Sequence, residues 1–195
     1  MTAAQVTGGS GTDTIRNVEG LTGTAFNDRL IGNGSANLLV GNTGKDTVSG
    51  GARPDTFVLN SLSGSDIISE FASGSDKVKV SQGGIRVGDG DSIIGGAVTK
   101  AGPGGFAATA ELVVISANIS SSITASSAAA KIGSVSASCS VAHASLCVVD
   151  NVVDSAVYLF KALDGDAAVE ASELTLLSTM TLSGTLTTAD FIFGA

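Results

Sequence analysis

Acids and one amide recur along the first third of the chain in a pattern suited to holding a metal ion. Asp28, Asn37, Asp46 and Asp55 stand nine residues apart. Each is preceded by glycine and followed two residues later by an apolar side chain: Leu30, Leu39, Val48 and Phe57. Asp13, in GGSGTDTIR (8–16), has the same surroundings with Ile15 as its apolar residue, but NVEGLT interrupts the spacing before Asp28. Glycine pairs cost backbone entropy in helix and strand alike, and an acid in successive turns gathers like charge. A bound cation offsets both. Glycine permits φ > 0, so backbone carbonyls can converge beside the carboxylates in an all-oxygen cage suited to a hard cation such as Ca²⁺. The competing reading is that each acid or amide only accepts an N–H of its own turn.

The elements that must position these side chains follow from the repeat. GTAFNDRLI (23–31), GNGSANLLV (32–40), GNTGKDTVS (41–49) and GGARPDTFV (50–58) are consecutive units. Each reads as a glycine-rich turn followed by a short strand whose middle residue points inward, with Ile15, Leu30, Leu39, Val48 and Phe57 in that role. Two units make one coil, so the coils stack a pair of thin parallel sheets. Such a coil buries little apolar area per turn and is marginal without further help.

These units resemble the RTX (repeats-in-toxin) nonapeptide G-G-x-G-x-D-x-U-x over roughly residues 8–80. TFVLNSLSGSDIISEFASGSDKVKVS is similar to the segment that follows the roll in secreted RTX proteases. The resemblance implies a calcium-binding β-roll with Ca²⁺ between alternate turns on one edge. Asp28 and Asp46 would share one edge with the carbonyls of Gly23, Ala25, Gly41 and Thr43. Asn37 and Asp55 would share the other with those of Gly32, Gly34, Gly50 and Ala52. Asp13 belongs to the upstream unit of the same kind, and Asp66 and Asp76 stand where a further site would close. Asn37 is neutral, Arg53 and Pro54 depart from the small residues of the pattern, and Phe26 and Ser35 take its fourth position. The Asp28/Asp46 edge is therefore expected to be the better site, the second weaker or partly vacant.

Glycine divides the chain: 22 of the 26 fall at or before Gly105. Residues 1–80 are read as the RTX-like roll, 81–106 as a connecting region or hairpins of its own, and 107–195 as a β-rich module. In the last, ELVVISANI (111–119) predicts a buried strand. SSSITASSAAAKIG predicts a helix capped near 122–124 and ended at Gly133. LCVVDN and SAVYLFKA predict a hairpin, and LDGDAAVEASELTLL a turn leading into a short helix at 172–177. The expected class is mainly β, a parallel roll followed by a β-rich module with one or two short helices. This module looks like the terminal part of large bacterial surface and RTX proteins. TTADFIFGA is similar to the uncleaved signals of type I secretion substrates, with Asp190 before Phe191, Ile192 and Phe193; the alternative is an edge strand finishing the domain.

A net charge of −8 argues against nucleic acid as a partner. No apolar run is long enough for a membrane-spanning helix, and MTAAQVTGGSGTDT lacks the basic and apolar regions of a cleaved Sec-type signal. Cys139 and Cys147 are compatible with a hairpin disulfide or with two buried thiols. H-E-x-x-H, G-x-S-x-G and Walker sequences do not occur, and His143 has no obvious carboxylate partner. The expected function is a secreted or cell-surface, non-enzymatic, calcium-binding protein whose roll folds on Ca²⁺ outside the cell and whose C-terminus engages export machinery. The alternative is an effector or adhesion module reaching lipopolysaccharide, vesicles or an anionic glycan through calcium, or a non-catalytic remnant of an RTX hydrolase.

Overall fold

The computed structural model describes residues 5–6, 18–89, 91–136 and 143–194. Two sheets carry the fold. The first contains β1 (Gln5–Val6), β2 (Gly20–Thr22), β4 (Leu38–Val40), β6 (Thr56–Leu59), β8 (Lys77–Ser81) and β14 (Phe191–Gly194), in that order across the sheet. The second begins with β3 (Arg29–Ile31), β5 (Thr47–Ser49) and β7 (Asp66–Ala72). It continues through β13 (Leu174–Ser183), β12 (Asp154–Lys161), β11 (Ala144–Asp150), β10 (Leu112–Ile115) and β9 (Val98–Lys100).

The nonapeptide period sets the first part. Strands alternate between the sheets, so every second unit pairs in parallel: Leu21 with Leu39, Leu39 with Phe57, Leu30 with Val48. Only the middle residue of each three-residue strand is buried, because side chains alternate between faces. Leu30, Leu39, Val48 and Phe57 thus fill the space between the sheets, as the spacing predicts. Ile15 lies outside the described residues. Beyond Val58 the period lengthens, yet Ile68 and Val78 still enter the same core.

The second sheet runs without a break from the roll into the C-terminal half, because β13 pairs in parallel with β7. β10, β11 and β12 are buried on both faces, and their near-continuous apolar sequences fit that position. Leu112, Val114, Leu146 and Val148 point into the roll's core. Val113, Ile115, Cys147 and Val149 point the other way, against α1 (Ala125–Ile132). That helix starts where Thr124 Oγ1 accepts the Ser127 N–H at 3.1 Å and stops at Gly133, φ 83°. The connecting region contributes buried Ile85 and Val87 to the roll's core and Phe106 to the second core, with β9 at the sheet edge. None of the described helices is long and apolar enough to cross a membrane.

One expected element is corrected. The helix at 172–177 is a 3-10 turn of three residues, Ala171–Glu173, after which Leu174 enters β13. L-T-L-L-S-T-M-T-L-S alternates apolar and hydroxyl side chains closely enough to favour a strand. The expected hairpin is present as β11 and β12, joined by a turn from Asn151 to Asp154.

The last strand, β14, closes the first sheet by pairing with β8, Phe191 opposite Val78 and Phe193 opposite Val80. Asp190 fastens it. Its Oδ1 accepts the Gly74 N–H at 2.8 Å, and its Oδ2 accepts the Thr187 N–H at 2.8 Å and the Ser73 hydroxyl at 2.9 Å. Burial alone would raise this carboxyl, but these donors outweigh it and hold it below the usual carboxylate value. Its contribution is therefore present at neutral pH and is lost as pH falls through that lowered value. Asp190→Asn is expected to reduce stability by about 2 kcal/mol at pH 7, a fall of roughly 4–8 °C in Tm. Thermal melts at pH 7 check this, and an unchanged Tm would contradict it.

Candidate metal centre

The turns between roll strands are superimposable in pattern. Bends fall at Ala25–Phe26, Gly34–Ser35, Thr43–Gly44 and Ala52–Arg53, always just before the acid or amide. Asp28, Asp46 and Asp66 then form one column across the second sheet, and Asn37, Asp55 and Asp76 a second column across the first. The rungs are linked by charge-assisted hydrogen bonds. The N–H of Asp28 donates to Asp46 Oδ1 at 2.8 Å, and that of Asp46 to Asp66 Oδ1 at 3.1 Å. In the second column the Asn37 N–H donates to Asp55 Oδ1 at 2.8 Å, and the Asp55 N–H to Asp76 Oδ1 at 3.0 Å. Asp46, Asp55 and Asp76 are buried almost completely.

The first rungs fit the simple turn reading. Asp28 Oδ2 accepts the Thr24 N–H at 2.6 Å and the Thr24 hydroxyl at 2.9 Å. Asn37 Oδ1 accepts the Asn33 N–H at 2.8 Å, and its Nδ2 donates to the Val18 carbonyl at 2.7 Å. The second rungs do not fit it: Asp46 Oδ2 and Asp55 Oδ2 are buried with no hydrogen-bond partner among the described residues. Other buried carboxylates of the chain behave differently. Glu173 uses both oxygens, accepting from the N–H groups of Leu163 at 2.8 Å and Glu170 at 3.1 Å. Glu111 likewise accepts from Asp89 and Gly95. Those acids tie loops, as does Asp76 at the end of its column, which accepts from Asp55 and Ala72, whereas Asp46 and Asp55 in mid-column keep an oxygen in reserve.

Burial pushes the Asp46 and Asp55 carboxyls up, with the charges of Asp28 and Asp76 respectively adding to it. Asp66 is pushed up to about 7, first by burial, with the Asp46 charge adding to it and the Asp46 N–H opposing. Glycine leaves room beside the reserved oxygens. A Cβ on Gly41 would strike Asp46 Oδ2, and one on Gly50 would strike Asp55 Oδ2. A Cβ on Gly23 would lie 2.7 Å from the Gly41 carbonyl oxygen and 2.8 Å from Asp28 Oδ2, so these two oxygens border one space. The Gly50 carbonyl and Asn37 Oδ1 border the equivalent space at Gly32. No three Asp, Glu, His or Cys side chains converge among the described residues. A site here draws on carbonyls as well as carboxylates, the donor set of a hard cation.

The resemblance-based ligand set is thus placed as follows. Asp28, Asp46, Gly23 and Gly41 adjoin one another on one edge, and Asn37, Asp55, Gly32 and Gly50 on the other; Ala25, Thr43, Gly34 and Ala52 lie at the bends. Asp66 and Asp76 continue the columns. Asp13 lies outside the described residues. Two features escaped the sequence reading. Asn42, at φ 72°, donates its Nδ2 to the Gly23 carbonyl at 2.7 Å and so occupies an expected ligand. Asn60 Nδ2 in turn donates to Asn42 Oδ1 at 2.9 Å. Asn at the second position of a unit was the available signal.

Residues 22–57 match, as four copies, the family model of the RTX calcium-binding nonapeptide repeat. No curated protein matches the chain. The segment therefore carries RTX-type repeats within a parallel β-roll, and repeats of this kind bind Ca²⁺. The residues fit the ion: Asp46 and Asp55 would offer it their reserved oxygens, and Ca²⁺ would supply the positive charge that these buried carboxylates lack.

A pH dependence follows. With a raised carboxyl the ion-free fold takes up protons that the unfolded chain releases, so this contribution to stability falls as pH rises from about 4 to above 7. Calcium-stripped protein is expected to melt at a higher temperature at pH 5.5 than at pH 8. Calcium affinity is expected to rise over the same interval, because the ion must displace those protons. Melting curves and calorimetric titrations at the two pH values test both signs. Gly41→Ala, which places a methyl against Asp46 Oδ2, is expected to weaken calcium binding at least tenfold.

Proposed function

We propose that the protein is a secreted, non-enzymatic, calcium-dependent module whose roll is completed by Ca²⁺ outside the cell. The observation that carries this reading is the pair of buried carboxylate oxygens, Asp46 Oδ2 and Asp55 Oδ2, left without a protein donor. At cytosolic calcium levels the columns repel and the roll is weak; at the millimolar levels outside, the ion offsets the repulsion. Export would then precede folding. The C-terminal segment similar to a type I signal would engage its machinery before β14 docks on β8, since docking buries Phe191 and Phe193.

The non-enzymatic part of the reading is supported by the state of the nucleophilic groups. The Ser145 hydroxyl, 3.0 Å from His143 Nε2, is fully buried and donates to the Ala110 carbonyl. The free Cys147 thiol is buried and pushed up to about 12, where little thiolate forms. Cys139, the other half of the possible disulfide, lies outside the described residues.

Circular dichroism and thermal melts with Ca²⁺ and with chelator test the reading. At a hundredfold excess over Kd, each filled site adds about 2.7 kcal/mol, or roughly 5–10 °C in Tm, and strand content rises with calcium. Identical spectra and melting temperatures in both conditions would overturn it.

A further inference from the structure

The column of Asp28, Asp46 and Asp66 does not end with the roll. β13 lies against β7 with Ser178 opposite Asp66, Thr179 opposite Ile67 and Met180 opposite Ile68. Partners in a parallel pair send their side chains to the same face, and Ile68 and Met180 both lie in the roll's core. Ser178-Thr179-Met180 therefore stands in β13 as Asp66-Ile67-Ile68 stands in β7 and as Asp46-Thr47-Val48 stands in β5. Ser178 holds the acid's position on a fourth rung, supplied by the C-terminal half and far outside the matched repeats.

Its surroundings leave that oxygen unused. Ser178 is fully buried, and its Oγ has no hydrogen-bond partner among the described residues. On the far side its cross-strand partner is Val157, which offers no polar group. Two rungs back, Asp46 Oδ2 is equally buried and equally unpartnered. Between them stands Asp66, one oxygen of which is bound by the Asp46 N–H. A neutral hard oxygen beside adjacent carboxylates is a donor set for a divalent oxygen-seeking cation.

We propose that Ser178 Oγ is a ligand of a Ca²⁺ ion held with Asp66 where the roll meets the C-terminal half, so that one ion joins the two parts of the chain. This rests on the calcium reading above and adds a ligand that the repeat pattern does not contain. The site accounts for a polar residue buried in an otherwise apolar position of β13. It also makes the second half of the chain a direct participant in calcium binding.

The test uses the full chain, calcium-stripped and titrated with Ca²⁺ by calorimetry, with melts at each end point. Ser178→Ala is expected to lose one binding event or weaken it at least tenfold. Its Tm without calcium should stay close to that of the unaltered protein, because no hydrogen bond is removed. Ser178→Cys, nearly the same size but with a soft donor, is expected to lose Ca²⁺ affinity and to gain Cd²⁺ affinity over the unaltered chain with its two natural cysteines. It also serves if the alanine variant does not fold. Titration of Ser178→Ala or Ser178→Cys indistinguishable from the unaltered chain overturns the proposal. An equal fall in Tm with and without calcium also overturns it, since that is the signature of a packing or buried-water role. If the unaltered chain binds no calcium at all, the functional reading itself fails.

Discussion

Burying a carboxylate without a counter-charge is among the most costly things a fold can do, and this roll does it repeatedly at regular intervals. Asp46, Asp55 and Asp76 are all but inaccessible, and Asp28 is only 9% exposed. Each column is held in register because one oxygen of an acid takes the N–H of the rung before it. The same contact sets the pairing of Leu39 with Phe57 and of Leu30 with Val48, so the apolar core and the polar columns enforce one register. Glycine at 41 and 50 is needed because the second oxygen of each acid occupies the space a side chain would fill. Strand spacing, turn composition and core pattern all follow from where those carboxylates must sit.

The other buried acids show what the columns lack. Glu111, Glu173 and Asp190 each collect enough N–H donors to saturate both oxygens, and each thereby fixes a loop or a strand end. Asp190 ends with its carboxyl below the usual value, whereas Asp66 ends near 7. Asp190 is fully buried and Asp66 only half-buried, yet it is Asp66 that is raised, so burial alone does not set their order. The difference is the number of donors aimed at each carboxylate. A saturated acid is complete as a structural clamp, and an acid with a spare oxygen and raised proton affinity is complete only with a cation.

Much of the roll was legible because its information is local. A nine-residue period with the apolar residue two after the acid specifies which side chain faces inward and which turn holds the charge, and Leu30 through Phe57 follow it. The α1 cap at Thr124 and stop at Gly133 were equally local. What the sequence concealed was contact between distant segments. Ser73 and Asp190 are 117 residues apart, and nothing near either announces the other. TTADFIFGA has the form of a tail, yet its Phe191–Gly194 is a strand docked on β8. The segment after Glu173 was misread because Leu, Thr and Ser suit a short helix as well as a strand, and pairing with both β7 and β12 decides for the strand. Asn42 was missed because its reach to the Gly23 carbonyl depends on a left-handed backbone that glycine neighbours permit but do not advertise.

The two halves cannot be energetically separate. Leu112, Val114, Leu146, Val148, Val157 and Leu159 share one core with the roll's Leu39, Val48, Phe57 and Ile68. Opening the roll would expose both sets to water, and the loss of apolar burial, about 25 cal/mol for each Å², would fall on both. A cation that tightens the columns therefore stabilises the C-terminal sheet through the common core as well, whichever rung it binds. Conversely β13 and β14 cover the last strands of the roll, β7 and β8, whose free edges would otherwise offer unpaired N–H and C=O groups to other chains. The last roll strands, β7 and β8, carry the final rungs of the columns and are also the strands on which β13 and β14 pair, so the polar columns and the closure of both sheets meet on the same two strands.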